Sequence, residues 1–246
     1  MIEIESYYAK TFQGPYLNIN EDDILVDLEN RLFAVFDGFG GGSVGDAAVD
    51  LAKEKIGSFF SKVSVDPDAT MPYFFSPNYL LETNCLINAL EIAHAGLIAN
   101  NKNRPMSERA GVSCLVGIVS DNILSLASTG NCAGFLYRGN RVSVISPPDS
   151  ITPIGSIENN MTNRTFPLSA LGLFDSLMPK VWEMSVRKGD KICLFTDGVY
   201  SRLSVDDIKT IIESTITDEL SIVKRLFSVS NDRGNLDNQS AIVISL

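Results

Sequence analysis

The chain has 246 residues, 45% of them apolar, and carries 30 Asp and Glu against 20 Lys and Arg, for a net charge of −10. That size suffices for a large core in a single domain over 1–246, with no need of disulfide or metal staples. The acidic balance argues against a general nucleic-acid or anionic-membrane binder, though not against an acidic site masked by metal ions.

Cys85, Cys114, Cys132 and Cys193 are widely spaced, form no C-x-x-C pair and sit mostly inside apolar runs such as GVSCLVGIV and KICLF. They are expected as buried thiols. The start, MIEIESYYAK, has no basic region followed by an apolar core, and no run approaches the ~18 apolar residues of a membrane helix. A cytoplasmic protein is expected.

Residues 2–9 alternate, and the apolar runs 23–29 and 31–36 are parted at Glu29-Asn30, the pattern of an antiparallel pair joined by a tight turn. The second run ends at Asp37, and five of the next eight residues are glycine. Helical spacing follows at once. Val44, Ala47, Ala48, Leu51, Ala52, Ile56, Phe59, Phe60 and Val63 form an i, i+3, i+4 stripe, and Ser43 with Asp46 has the form of an N-terminal capping box. A second helix is predicted from Ser76-Pro77 to about Asn100, with Leu80, Ile87, Leu90 and Leu97 on one face. His94 lies on that face as a core residue. It is the only histidine, so no histidine triad or zinc site can be built.

Residues 111–145 give four β-rich runs, joined at Ser120-Asp121-Asn122, Gly130-Asn131 and Gly139-Asn140, each of which reads as a hairpin. From 147 to 179 the periodicity fades among five prolines, as in a functional lid or mobile loop. Strands are predicted at 181–186 and 191–197, helices from Ser204 and from Thr217, and a last strand in SAIVISL. Strands that pair with sequence neighbours, with helices inserted in blocks, favour an α+β fold of antiparallel sheets sandwiched by helices over a doubly wound parallel sheet.

Acidic residues mark strand ends: Asp37 after LFAVF, Asp197 after KICLFT, Asp237 with Asn238 ahead of the last strand, and Glu21 with Asp22 ahead of the first apolar run. Each Asp alone reads as a turn former. Gathered at one sheet edge they would repel one another unless cations intervened, and an all-oxygen set suits Mg²⁺ or Mn²⁺. Two such ions about 4 Å apart can share an activated water and hold a phosphoryl group for in-line attack.

NED at 20–22, VFDGFGG at 35–41, GVSCLVG at 111–117, STGNCAGFLYRGN at 128–140, GDKICLFTDGVYS at 189–201 and DNQSAIVIS at 237–245 resemble, in order and spacing, the motifs of the metal-dependent serine/threonine phosphatases of type 2C. The resemblance implies a four-layer α-β-β-α sandwich of two antiparallel sheets flanked by helices, with the metal site at one end. It implies hydrolysis of phosphoserine and phosphothreonine in proteins by a hydroxide bridging two Mn²⁺ or Mg²⁺ ions, and hence a phosphoprotein substrate and an opposing Ser/Thr kinase. By the same resemblance Asp37 bridges both metals, the Gly38 carbonyl and Glu21 serve the second, and Asp197 and Asp237 hold the first. Asn238 and Asp22 stand around them, Asp22 orienting water.

The chain departs from that pattern at three places. Leu17 stands where the family has its phosphate-binding arginine, so the bidentate clamp is missing. Phe39 follows Asp-Gly where animal members have a histidine, and it has no proton to give a leaving group. Asn131 replaces the aspartate that in bacterial members helps hold a third metal, so the third site is expected to be weak or empty. Pro147–Leu168 corresponds to the flap beside the cleft, with Arg164 as a candidate replacement contact for phosphate. Two other readings remain. A phosphatase fold of weak or absent activity would serve as a partner-binding regulator. A dinucleotide-binding oxidoreductase would use GGGSVG at 40–45 as G-x-G-x-x-G, with Asp66 about 20 residues on.

Overall fold

The computed structural model describes residues 2–40, 44–63, 71–151, 165–215 and 218–246. The strands are β1 (Ser6–Phe12), β2 (Asp22–Asp27), β3 (Leu32–Phe39), β4 (Gly111–Ser120), β5 (Ile123–Thr129), β6 (Ala133–Arg138), β7 (Arg141–Ser146), β8 (Lys180–Ser185), β9 (Lys191–Phe195) and β10 (Gln239–Ser245). The helices are α1 (Gly45–Val63), α2 (Leu81–Asn101), α3 (Asp197–Tyr200), α4 (Val205–Ser214) and α5 (Glu219–Asp232). Two antiparallel sheets result, ordered β1-β10-β9-β6-β7 and β2-β3-β4-β5-β8.

Strand alternation sorts the apolar residues into three cores and so dictates four layers. In β3, Phe33 and Val35 point between the sheets with Leu115, Leu126, Leu194, Ile242 and Ile244. Leu32, Ala34 and Phe36 point the other way, against Ala52, Ile56, Leu86 and Leu90 of α1 and α2. In the other sheet, Phe135, Phe195 and Val243 turn outward onto Ile208, Ile212, Val223 and Leu226 of α4 and α5. The order is thus helices, sheet, sheet, helices, an α+β sandwich as the sequence predicts. The strands β3 and β4, separated in the chain by α1 and α2, are antiparallel neighbours. That pairing removes the βαβ crossover on which the dinucleotide reading depended; Gly41, Gly42, Ser43 and Asp66 lie outside the described residues. Among the described residues no helix is long and apolar enough to cross a membrane.

Local structure corrects several expectations. Asp37 does not end its strand: β3 runs on to Phe39, with Asp37 paired to Asp22 on one side and Ser113 on the other. The turn at Gly139-Asn140 is a hairpin with both residues at positive φ, 55° and 61°, as a type I′ turn requires. Gly130-Asn131 is not a hairpin. It carries the chain from β5 in one sheet to β6 in the other, and Gly130 sits there at φ 85° against Ser113, where a Cβ would come within 2.2 Å of its Oγ. The helix predicted from Ser204 begins with a reciprocal capping box formed by Ser204 and Asp207. The last helix starts at Glu219, capped by Asp218, and Thr217 lies outside the described residues, as does the Ser43 half of the first predicted box.

The second helix begins at Leu81 instead of Ser76. Two buried asparagines of α2 reach back and take the preceding backbone for themselves. Asn84 accepts from the Ser76 amide at 2.8 Å and donates to the Ser76, Tyr79 and Leu80 carbonyls at 3.0, 3.2 and 3.0 Å. Asn88 accepts from Tyr73 N at 2.9 Å and donates to Phe74 O at 2.7 Å. Replacing Asn84 by Ala orphans these groups, at about 1–3 kcal/mol for each one left dry. Thermal denaturation of Asn84→Ala is expected to show a midpoint lower by several degrees, roughly 2–4 °C per kcal/mol in a chain of this size; an unchanged midpoint would show that water replaces the clamp.

Candidate functional site

One end of the sandwich collects the acids. Asp22 and Asp37 are direct cross-strand partners on β2 and β3. Asp197 follows β9 by two residues, as the first residue of α3, and Asp237 precedes β10 by two. Thr196 stitches the sheets together here: its hydroxyl donates to Asp22 Oδ2 at 2.7 Å and accepts from Ser240 N at 2.8 Å.

Glu21 and Gly38 sit where the first helix meets the sheet. The Gly38 amide donates to the Glu21 carbonyl at 2.9 Å, and Glu21 Oε1 accepts from the Gly45 amide at 3.0 Å, so that Glu21 caps α1 from a distant loop. A Cβ on Gly38 would meet the Gly45 carbonyl at 2.5 Å and Val49 at 2.7 Å. Only glycine lets the helix approach this closely. Asn238 organises the loop before Glu21, accepting from Glu21 N at 2.9 Å and donating to the Gln13 and Ile19 carbonyls at 2.8 and 3.0 Å. Asp237 Oδ1 accepts from Asn238 N at 2.9 Å. On α3, a Cβ at Gly198 would lie 1.8 Å from the Asn238 carbonyl, so the Asp197-Gly198 and Asp237-Asn238 turns interlock through a glycine.

The electrostatics follow from this crowding. Burial, then the charges of Asp197, Asp22 and Asp237, drive the Asp37 carboxyl well above the usual carboxylate range. Burial and the neighbouring Asp197 and Asp237 do the same to Asp22. Asp197 is pushed up to about 7 by burial and then by Asp237. Glu21 is raised by burial and by Asp46 and Asp237, against the Gly45 amide. The influences that pull the other way are neutral donors: Thr196 on Asp22, Thr165, the Gly198 amide and Asn131 on Asp197, and Asn131 on Asp37.

These acids do not form a closed cage: among the described residues no group of three or more His, Cys, Asp or Glu side chains is arranged to hold a metal ion. Oδ2 of Asp197 is taken by the Thr165 hydroxyl and by Asn131 Nδ2, the latter at 3.0 Å, and Oδ2 of Asp22 by Thr196. The donor set nonetheless fits a hard divalent cation, since carboxylates from both sheets raise one another's proton affinity and a cation relieves that repulsion.

Asn131 brings its amide into this cluster, and its carbonyl Oδ1 is buried without a partner. Leu17 is half-buried in the loop between β1 and β2. Phe39 lies across from Gly111 on β4, where its ring fills the space a side chain would need. Arg164 lies outside the described residues. His94 is a core residue, as expected, with Nδ1 accepting from Gly172 N at 3.1 Å. The four cysteines are buried and free. Thr165, Thr196 and Tyr200 were not singled out from the sequence. Adjacency to Asp197 was a usable signal for Thr196, whereas Thr165 is brought in by the pairing of Ser150 with Pro167, which no local pattern announces.

No family model matches the chain, and no curated protein matches it. Solved structures do. The serine/threonine phosphatase PstP/Ppp of Mycobacterium tuberculosis is 22% identical, with a TM-score of 0.77 over 98% of each chain. MsPP, a PPM Ser-Thr phosphatase of Mycobacterium smegmatis in complex with cacodylate, is 21% identical, with a TM-score of 0.77 over 100% of both chains. The catalytic domain of PstP in complex with two manganese ions is 22% identical, with a TM-score of 0.74 over 98% of this chain and 97% of that one. At such identities the likeness establishes the fold: this chain has the architecture of the bacterial PPM, or type 2C, phosphatases.

The raised carboxyls give a pH prediction. Unfolded aspartates titrate near 3.8, and Asp197 in the folded chain near 7, so between these values the folded state holds more protons than the unfolded one. The associated stability is present at low pH and is lost as pH rises through about 7. Metal-free protein is expected to melt at a higher temperature at pH 5.5 than at pH 8, and Mn²⁺ is expected to raise the midpoint most at pH 8. A melting temperature that rises from pH 5.5 to 8 without metal would contradict the carboxylate crowding.

Proposed function

We propose that this chain, built on the type 2C phosphatase fold, is a Mn²⁺- or Mg²⁺-dependent hydrolase of phosphoserine and phosphothreonine in proteins, with residues 1–246 as one catalytic domain. The observation that carries the reading is the convergence of Asp37 from one sheet and Asp197 from the other, each pushed toward protonation by burial and then by the neighbouring acids. A site so unfavourable without cations makes chemical sense as a cation site. The PstP catalytic domain, which shares the fold, is in complex with two manganese ions, and two ions are proposed here.

In this reading Asp37, Glu21, the Gly38 carbonyl, Asp197 and Asp237 would hold the ions, with Asp37 the acid common to both, while Asp22 and Asn238 would hold the surroundings. When bound, the ions would supply Lewis acidity toward a phosphoryl oxygen and toward water. Asp22, buried and tied to Thr196, keeps a further acceptor beside the cluster for positioning water. Phe39 packs over Gly111 and brings no proton to a departing oxygen, so leaving groups that need no acid are favoured. Leu17 offers no bidentate grip, and phosphate affinity falls chiefly to the ions. An opposing Ser/Thr kinase would supply the phosphoprotein.

A second reading, a regulator that binds a partner without turnover, is favoured by the same Leu17 and by the Asn131 amide that Asp197 accepts in place of a carboxylate neighbour. Turnover separates the two. Hydrolysis of a chromogenic aryl phosphate is expected to require Mn²⁺ and to fall at least a hundredfold, about 3 kcal/mol of barrier, in Asp37→Asn and Asp197→Asn. Activity absent from the wild type, or indifferent to metal and to both substitutions, would sink the enzyme reading. With a phosphopeptide, Leu17→Arg is expected to lower KM more than it changes kcat; an unaltered KM would mean that another group already grips the phosphate.

A further inference from the structure

Asn131 enters the sequence comparison as a defective metal ligand, yet in the fold it has a definite set of contacts. Its Nδ2 donates to Asp197 Oδ2 at 3.0 Å and to Thr165 Oγ1 at 2.7 Å. Thr165 itself donates to Asp197 Oδ2. From the other side, the hydroxyl of Tyr200, three residues beyond Asp197, donates to the Asn131 main-chain carbonyl at 2.5 Å. All four residues are buried: Asn131 is 2% exposed, Asp197 6%, Thr165 9% and Tyr200 1%.

The three partners arrive from separate parts of the chain. Asn131 lies in the crossing between β5 and β6, Tyr200 closes α3, and Thr165 stands beside the Ser150–Pro167 bridge. The crossing is itself tied to that bridge region, since Asp149 N donates to the Gly130 carbonyl at 2.7 Å and Gly130 N to Ser169 Oγ at 3.0 Å. Donors anchored this firmly fix the acceptor they hold, and neutral donors do so without cancelling its charge.

We infer that Thr165, Asn131 and Tyr200 form a positioning brace, in which Thr165 and Asn131 hold Oδ2 of Asp197 and Tyr200 holds Asn131, so that the carboxylate is presented to a cation in one orientation. This rests on the cation-site reading above and extends it to residues that touch neither ion nor substrate. Asn131 is on this account a working part of the site. An aspartate there would replace the donor with a second acceptor facing Oδ2, and the brace would open.

The test measures Mn²⁺ affinity of the full chain by titration calorimetry, beside metal-free melting curves. Thr165→Val, which keeps the shape and removes the hydroxyl, and Asn131→Ala are each expected to weaken Mn²⁺ by about tenfold or more. Thr165→Ser, which keeps the hydroxyl, is expected to restore wild-type affinity. Wild-type affinity in both Thr165→Val and Asn131→Ala, with only the metal-free melting temperature lowered, would overturn the brace and leave these bonds as packing. A wild type that takes up no Mn²⁺ would overturn it as well. A wild type that binds Mn²⁺ but hydrolyses no phosphate would remove the phosphatase reading alone, and the brace would stand or fall on the same titrations.

Discussion

Buried carboxylates repel, and at one end of this sandwich that repulsion is concentrated instead of avoided. Asp22 and Asp37 face each other across two strands, and Asp197 and Asp237 approach from the other sheet closely enough to raise both. The surrounding structure is arranged to endure this. Thr196 binds Asp22 and the β10 backbone together, and Thr165 and Asn131 hold Asp197. Neutral donors moderate the conflict without removing the negative charge. The result is a stable scaffold with a local deficit that a divalent cation would relieve.

The fold makes the deficit possible because its three cores lie elsewhere. Strand alternation commits the large apolar residues to the space between the sheets and to the two helix-covered faces, leaving the strand ends to polar groups. Glycines then decide how closely those ends approach. Gly38 admits the start of α1, and Gly198 admits the Asn238 carbonyl. Asp37 and Asp197 are thus each followed by a glycine against which a second stretch of backbone packs.

The layers and the main acids were legible because they depend on local pattern. Period-two alternation located the strands, and Asp37, Asp197 and Asp237 stood out as acids at strand ends. What escaped was set by distant partners. Gly130-Asn131 has the composition of a hairpin turn, but it crosses from one sheet to the other, with Gly130 set against Ser113. Helical spacing ran back to Ser76, but the side chains of Asn84 and Asn88 captured that backbone. Thr165 joins Asp197 from 32 residues away, and nothing beside it in sequence marks the contact. Asn131, judged by what it replaces, read as a loss; its geometry shows an amide that donates to Asp197 and to Thr165, which itself donates to the same acid.

The central claim is that these acids form a two-cation site. Anomalous scattering at the manganese edge from crystals soaked in Mn²⁺ tests it most directly. The account predicts two peaks, both in contact with Asp37, one flanked by Asp197 and Asp237 and the other by Glu21 and the Gly38 carbonyl. No peak among these residues, or peaks confined to other parts of the surface while Asp37 and Asp197 keep only protein partners, would contradict it.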